Sequence, residues 1–284
     1  MKVLVLGAVG MAGHTIALYF KEQGHDVTAY SMRPFPWCRN IVGDAFDTGA
    51  FTAMLRDGEY DLVINCIGLL NQVADNNPSK AVYLNSYLPH LIADTLMPAK
   101  ARLIQMSTDC VFAGNTGPYI ETSLRDGATF YDRTKALGEV VDSRNLTFRN
   151  SIVGPDINQG GIGLFNWFMK QEGPIYGYKH AMWTGVTTLT LAKAMERASE
   201  EGLSGLFNLV NNESISKYDL LQLFNKYFRD NRIEILPSEE LQLDKSLRCT
   251  RSADFSFKVP SYEQMVAEMK EWVDRHGELY PFYC

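Results

Sequence analysis

The most constraining feature of this 284-residue sequence is a glycine triplet at its start. Residues 3–6 form a short apolar run that ends at Gly7-Ala8-Val9-Gly10-Met11-Ala12-Gly13, and residues 11–22 then carry helical apolar spacing up to Gly24. A buried strand, a G-x-x-G-x-x-G turn and an amphipathic helix in that order predict the first βα unit of a parallel sheet. Gly7 allows the tight turn, Gly10 lets backbone approach a diphosphate, and Gly13 lets helix and strand pack closely. The free N–H groups and partial positive charge of the helix start then favour phosphate. The same triplet could serve packing alone.

The pattern continues through the first half of the chain. Strands are expected at 26–30, 40–42, 62–66, 102–106 and 146–149. Helices are expected at 48–56, at 78–97 with an interruption at Pro89, and at 129–142. Alternating strands and helices imply a doubly wound α/β sheet of Rossmann type. After Gly154-Pro155 the pattern turns irregular. Helices are expected at 164–169, 188–199, 217–228 and 262–276, with short strands near 206–210 and 233–236. The expected organisation is a dinucleotide-binding domain over 1–153. A smaller mixed substrate-binding region covers 154–284, part of it returning to the first domain.

A net charge of −6 with no Lys/Arg-rich run argues against nucleic-acid or anionic-membrane partners. The cysteines at 38, 66, 110, 249 and 284 form no C-x-x-C pair, and the five histidines no ligand spacing, so no metal is expected. Neither a signal peptide nor an apolar run of membrane-spanning length is apparent, which points to the cytoplasm.

The end of the second strand bears on cofactor choice. An Asp or Glu there would hold a ribose 2′-OH. Instead the sequence reads Tyr30-Ser31-Met32-Arg33. Ser31 and Arg33 suit a 2′-phosphate, so NADP(H) is expected over NAD(H). Arg33 could equally be a solvated loop residue. Asp44 is a candidate acceptor for the adenine amino group, or else a turn or cap residue.

Tyr131 and Lys135 stand four apart on a predicted helix and therefore share a face. A neighbouring ammonium favours the phenolate, and such a tyrosine can exchange a proton with a carbonyl oxygen while hydride moves. Met106-Ser107-Thr108-Asp109 ends the fifth strand, where ligands meet open α/β sheets. Thr108 is placed to orient the reacting oxygen. Asn85 could anchor a water relay to Lys135, or simply be a helix-face amide. The catalytic candidates are Thr108, Tyr131 and Lys135. The cofactor candidates are Gly7, Val9, Gly10, Met11, Gly13, Ser31, Arg33, Asp44, Cys66, Ile67, Gly68, Asn85 and Ser107, together with Tyr131 and Lys135.

Taken together, the glycine turn, Ser107-Thr108-Asp109-Cys110-Val111-Phe112, Tyr119-Ile120-Glu121-Thr122, Tyr131 to Lys135, Gly138-Glu139 and Arg149-Asn150-Ser151 resemble the extended short-chain dehydrogenase/reductases. Gly185-Val186-Thr187-Thr188, Phe207-Asn208-Leu209 and Ser214 to Tyr218 extend the likeness to the dTDP-4-dehydrorhamnose reductase group. This resemblance implies reduction of a keto group, at C4, on a nucleotide-linked 4-keto-6-deoxy sugar. It implies a monomer or homodimer. Asp109, Cys110, Asn150, Trp183 and Arg248 are the substrate candidates. Related dehydratases carry Asp-Glu where this chain has Asp109-Cys110, so dehydration is not expected. Cys110 also resembles the thiol of GDP-fucose synthases, an epimerase/reductase alternative that needs a second acid/base, for which His180 is the nearest candidate. One member of the resembled group is a regulatory partner of another enzyme, so a non-catalytic cofactor-binding protein is a third reading. The intact Thr108, Tyr131 and Lys135 argue against it.

Overall fold

A computed structural model describes residues 1–283; Cys284 lies outside the described residues. Seven parallel strands form the main sheet: β1 (Lys2–Leu6), β2 (Asp26–Ser31), β3 (Arg39–Val42), β4 (Leu62–Asn65), β5 (Arg102–Met106), β6 (Leu146–Arg149) and β10 (Gly205–Asn208). Their order is β10-β6-β5-β4-β1-β2-β3. The chain leaves β1 toward β3 and then crosses back to β4, so a crevice opens between β1 and β4 at their carboxyl ends. Gly7 and Cys66 stand at that crevice. Gly7 adopts a φ of 80°, and a Cβ there would lie 3.0 Å from the Cys66 carbonyl carbon.

The strands are buried on both faces because helices cover both. Helices α1 (Met11–Glu22) and α8 (Thr188–Glu201) pack together on one side; α2 (Thr48–Asp57) and α5 (Leu88–Leu96) pack on the other. Two apolar layers result, one built around Val3, Val5, Ile16 and Phe148, the other around Leu4, Leu6, Val63 and Leu103. Alternate residues of β1 thus feed opposite layers, as the two-residue period of a strand requires.

The expected seventh-strand region, 206–210, begins one residue earlier and pairs in parallel with β6, so part of the second region completes the first sheet. Four further strands escaped the sequence reading. β7 (Ser151–Val153) pairs with β9 (Gly185–Thr187), and β8 (Ile175–Trp183) lies between β11 (Ile215–Ser216) and β12 (Ile235–Asp244). β12 runs well beyond the expected 233–236 because β8 offers it a long partner.

The helix expected over 78–97 is α4 (Pro78–Ala81), a π-helical turn (Val82–Tyr87) and α5. Pro89 has no N–H to give to the Asn85 carbonyl, and the wider turn falls where that bond would have been. A short helix, α3 (Asn71–Asn76), precedes it and was not anticipated. The helix expected over 129–142 is α6 (Phe130–Leu137), shorter at its end because Gly138 caps it. A Cβ at Gly138 would run into the Asn85 carbonyl oxygen, so only glycine lets α6 lie against the π turn. Gly138→Ala should therefore lower unfolding free energy by about 1–3 kcal/mol, the usual cost of overpacking. Denaturant titration checks this; an unchanged midpoint would disprove the tight approach.

Candidate active site

The start of α6 is fixed by three hydrogen bonds. Thr129 and Asp132 form a reciprocal capping box, with Thr129 Oγ1 accepting from the Asp132 N–H and Asp132 accepting from the Thr129 N–H. Asp75 on α3 accepts from the Tyr131 N–H at 3.0 Å. This sets Tyr131 and Lys135 on the face of α6 that looks into a cleft of about 700 Å³. The cleft runs from the glycine turn, past the ends of β4 and β5, to Trp183 at the end of β8.

Below α6 lies a buried ionic hub. Glu139 accepts two hydrogen bonds from Arg149 of β6, at 2.9 and 2.8 Å, and one at 2.6 Å from the Ser107 hydroxyl. Arg125 adds a contact at 3.0 Å. Burial pushes the Glu139 carboxyl upward, but Arg149, Ser107 and Arg125 outweigh it and hold it below the usual carboxylate range. Arg149 also lies over the Phe112 ring, 5.0 Å from its centre. Through these contacts β6, the 107–112 segment and the end of α6 are clamped together.

Thr108 caps a short 3-10 turn (Asp109–Val111), accepting from the Cys110 N–H and donating to the Asp109 carboxylate. The sequence reading expected Lys135 to draw the Tyr131 phenol toward ionisation. In the structure burial raises the Tyr131 pKa, and the neighbouring Cys110 and Asp109 push the same way. Lys135 donates instead to the Met106 carbonyl at 2.7 Å, and burial lowers its pKa to about 8. Burial thus favours the protonated phenol of Tyr131.

Of the anticipated cofactor residues, Gly10, Met11, Gly13, Cys66, Ile67, Gly68 and Ser107 line the cleft with Tyr131 and Lys135. Gly7 and Val9 belong to the same turn but are outside the cleft lining. The fit to a dinucleotide is physical: α1 begins at Gly10 with no side-chain cap, leaving its first N–H groups free, and a Cβ at Gly13 would collide with the Gly7 carbonyl. Ser31 is a correction. Its hydroxyl is buried and donates to the Arg33 carbonyl at 2.7 Å, so it shapes the turn and is not free for a phosphate. Arg33 is exposed and donates to Asn158, which in turn donates to the Val9 carbonyl across the glycine turn. Asp44 is exposed and accepts from the Phe46 N–H, as a turn residue does. Asn85 is a second correction: both ends of its amide are taken by the Leu69 backbone and it also donates to Thr134, so it ties the 66–70 loop to α6 and is outside the cleft lining.

Among the substrate candidates, Asp109, Cys110, Asn150 and Trp183 line the cleft. Arg248 does not; its guanidinium donates to the Leu247 carbonyl. His180 is exposed on β8 and absent from the lining. Burial pushes the Cys110 thiol up to about 12, Asp109 adding to it. The sequence reading missed Asp156, Asn158 and the 160–163 segment, which cover the glycine turn from the second region, and Lys217 and Lys245. Gly160, Gly161 and Gly163 were the available signal for the first group: a Cβ at Gly163 would press on the Met11 sulfur at 2.9 Å.

Removing the Glu139 carboxylate would strand buried Arg149. Glu139→Ala should cost about 3–5 kcal/mol of stability. The lowered pKa also fixes a sign. Stability from this carboxylate is complete above the ordinary glutamate range and is lost as pH falls through the lowered folded value. Wild type should lose stability below about pH 5 more steeply than Glu139→Gln. Parallel acid profiles from denaturant melts would contradict the ionic hub.

Comparison with known proteins agrees with this geometry. The family model described as "RmlD substrate binding domain" matches residues 1–153, more than half of the chain. Methionine adenosyltransferase 2 subunit beta of Xenopus laevis is 23% identical over 77% of this chain and 70% of its own length. A dTDP-4-dehydrorhamnose reductase of Streptomyces griseus is 30% identical over 48% of this chain and 43% of its own. The crystal structure of dTDP-4-dehydrorhamnose reductase from Bacillus anthracis, in complex with NADP, superposes with a TM-score of 0.80 at 17% identity, covering 94% of this chain and 97% of that one. The chain belongs to the RmlD substrate binding domain family, within the dTDP-4-dehydrorhamnose reductase-like group of NAD(P)-dependent oxidoreductases.

Proposed function

We propose that the chain reduces the C4 keto group of a nucleotide-linked 4-keto-6-deoxy sugar, with NADP(H) preferred over NAD(H). The observation that carries this reading is that Thr108, Tyr131 and Lys135 line one cleft together with the glycine turn. When bound, the nicotinamide supplies a hydride to the carbonyl carbon. Tyr131 gives its proton to the carbonyl oxygen, so the ketone becomes a secondary alcohol, and solvent restores the phenol. Burial keeps that proton on Tyr131 until a developing alkoxide takes it. Thr108, which lines the cleft with Tyr131, orients the same oxygen. Lys135 contributes an amine anchored on Met106 beside the cofactor end of the cleft.

Two other readings have less support. Epimerisation needs a thiol that ionises and a second acid/base. Cys110 is pushed to about 12, and no histidine of the described residues lines the cleft. A regulatory role is favoured by the likeness to an adenosyltransferase subunit, but it gives no use to the trio. No helix among the described residues is long and apolar enough to cross a membrane.

A panel of 4-keto sugar nucleotides, with NADPH consumption followed, tests the activity. Tyr131→Phe should cut turnover of the accepted substrate by about 10² to 10⁴ while cofactor binding persists. Near-wild-type turnover would remove Tyr131 from the chemistry, and silence across the panel would favour the regulatory reading.

Cofactor preference rests on Arg33, exposed at the end of β2 and held toward the glycine turn by Asn158. Arg33→Ala should narrow the gap between NADPH and NADH affinity about tenfold, the worth of one charge-assisted pair. Tighter NADH than NADPH binding by wild type would refute the preference.

A further inference from the structure

We infer that Lys217 and Lys245 form a clamp for the diphosphate of the substrate. The inference rests on the reductase reading for the identity of the sugar, but the clamp itself stands on geometry. β8 is the middle strand of the small sheet. Ser216 of β11 and Asp244 of β12 are both in register with Met182 of β8, from opposite sides. Lys217 and Lys245 therefore follow strands two spacings apart, roughly 10 Å. Both line the cleft on either side of the Met182-Trp183 corner.

Both lysines are half-buried and without an acidic partner. The lysine ion pairs of the described residues involve Lys193, Lys226 and Lys270 instead. Asp244, next in the chain to Lys245, is engaged by the Ser246 N–H. The carboxyl whose charge both lysines feel is Asp109, which is buried and shares a hydrogen bond with Thr108. Two lysines lining one cleft, neither within ion-pair distance of a carboxylate, call for an anionic ligand. Their separation suits a group with two linked charges. Asp109, Thr108 and Tyr131 line the same cleft, so a diphosphate held there lies along the path of the linkage next to a reacting sugar ring. Arg248, outside this cleft, cannot take the part.

Calorimetric titration of inorganic pyrophosphate, with NADPH saturating so that the glycine turn is filled, tests the clamp. Wild type should bind pyrophosphate. Lys217→Gln and Lys245→Gln should each weaken it by roughly fivefold or more, and the double variant should weaken it further. Lys217→Arg and Lys245→Arg should restore most of the affinity, and NADPH affinity should stay within about twofold in all variants, which excludes a folding defect. Absence of binding to wild type, or a double variant within about twofold of wild type, would overturn the clamp. Titrating dTDP and geranyl diphosphate in parallel distinguishes failure of the clamp from failure of the nucleotide-sugar reading. Loss of both ligands in the double variant supports the clamp, and whichever ligand binds wild type more tightly tells a nucleotide-linked from an isoprenoid-linked sugar. A preference for geranyl diphosphate would sink the nucleotide-sugar reading and leave the clamp standing.

Discussion

The buried carboxylate of Glu139 organises the active site. An unpaired charge in that position would be strongly unfavourable, so its three donors have to arrive together. Arg149 comes from β6, Ser107 from the end of β5, and Arg125 from the loop between. Satisfying one carboxylate thereby sets the distance between the strand that carries Thr108 and the helix that carries Tyr131 and Lys135. Charge at this point is a positional device more than a source of net stability, since buried pairs gain little over well-packed apolar groups.

The π turn and Gly138 perform a related task through sterics. Pro89 removes a backbone donor, the helix widens, and glycine on α6 closes onto the exposed carbonyl. The amide of Asn85 then reaches both the 66–70 loop and α6. One irregular turn so links the 66–70 loop to α6. Its role is support, which is why a residue read as a possible water relay is found fully engaged away from the cleft.

The first half of the fold was legible because its strands are short, apolar and separated by helices of ordinary period. β1, β5, β6 and α1 were located to within a residue. The second region was opaque for a physical reason. β8 and β12 are half-exposed and contain Tyr176, Lys179, His180 and Glu239 among their residues, so no continuous apolar run marks them. Tyr131 and Lys135 carry their spacing in the sequence, and with Thr108 they line one cleft. Lys217 and Lys245 carry no such mark, because only pairing with β8 brings them together. Ser31 and Arg33 were read as a pair from adjacency alone, yet the backbone turn points one inward and the other outward.

The seventh strand has a consequence for how such a protein can change over time. β10 lies in the first sheet, with Phe207 edge-on to Phe148 of β6, although its sequence neighbours build the cover of the cleft. The chain passes from cover to sheet through α8 and back through β11. The cover is therefore not a cassette that recombination could exchange for another, because cutting it out would strip the sheet of its last strand and bare the Phe148 side of β6. New specificities on this scaffold have to accumulate residue by residue along β8, β11 and β12, while the interlaced frame stays as it is.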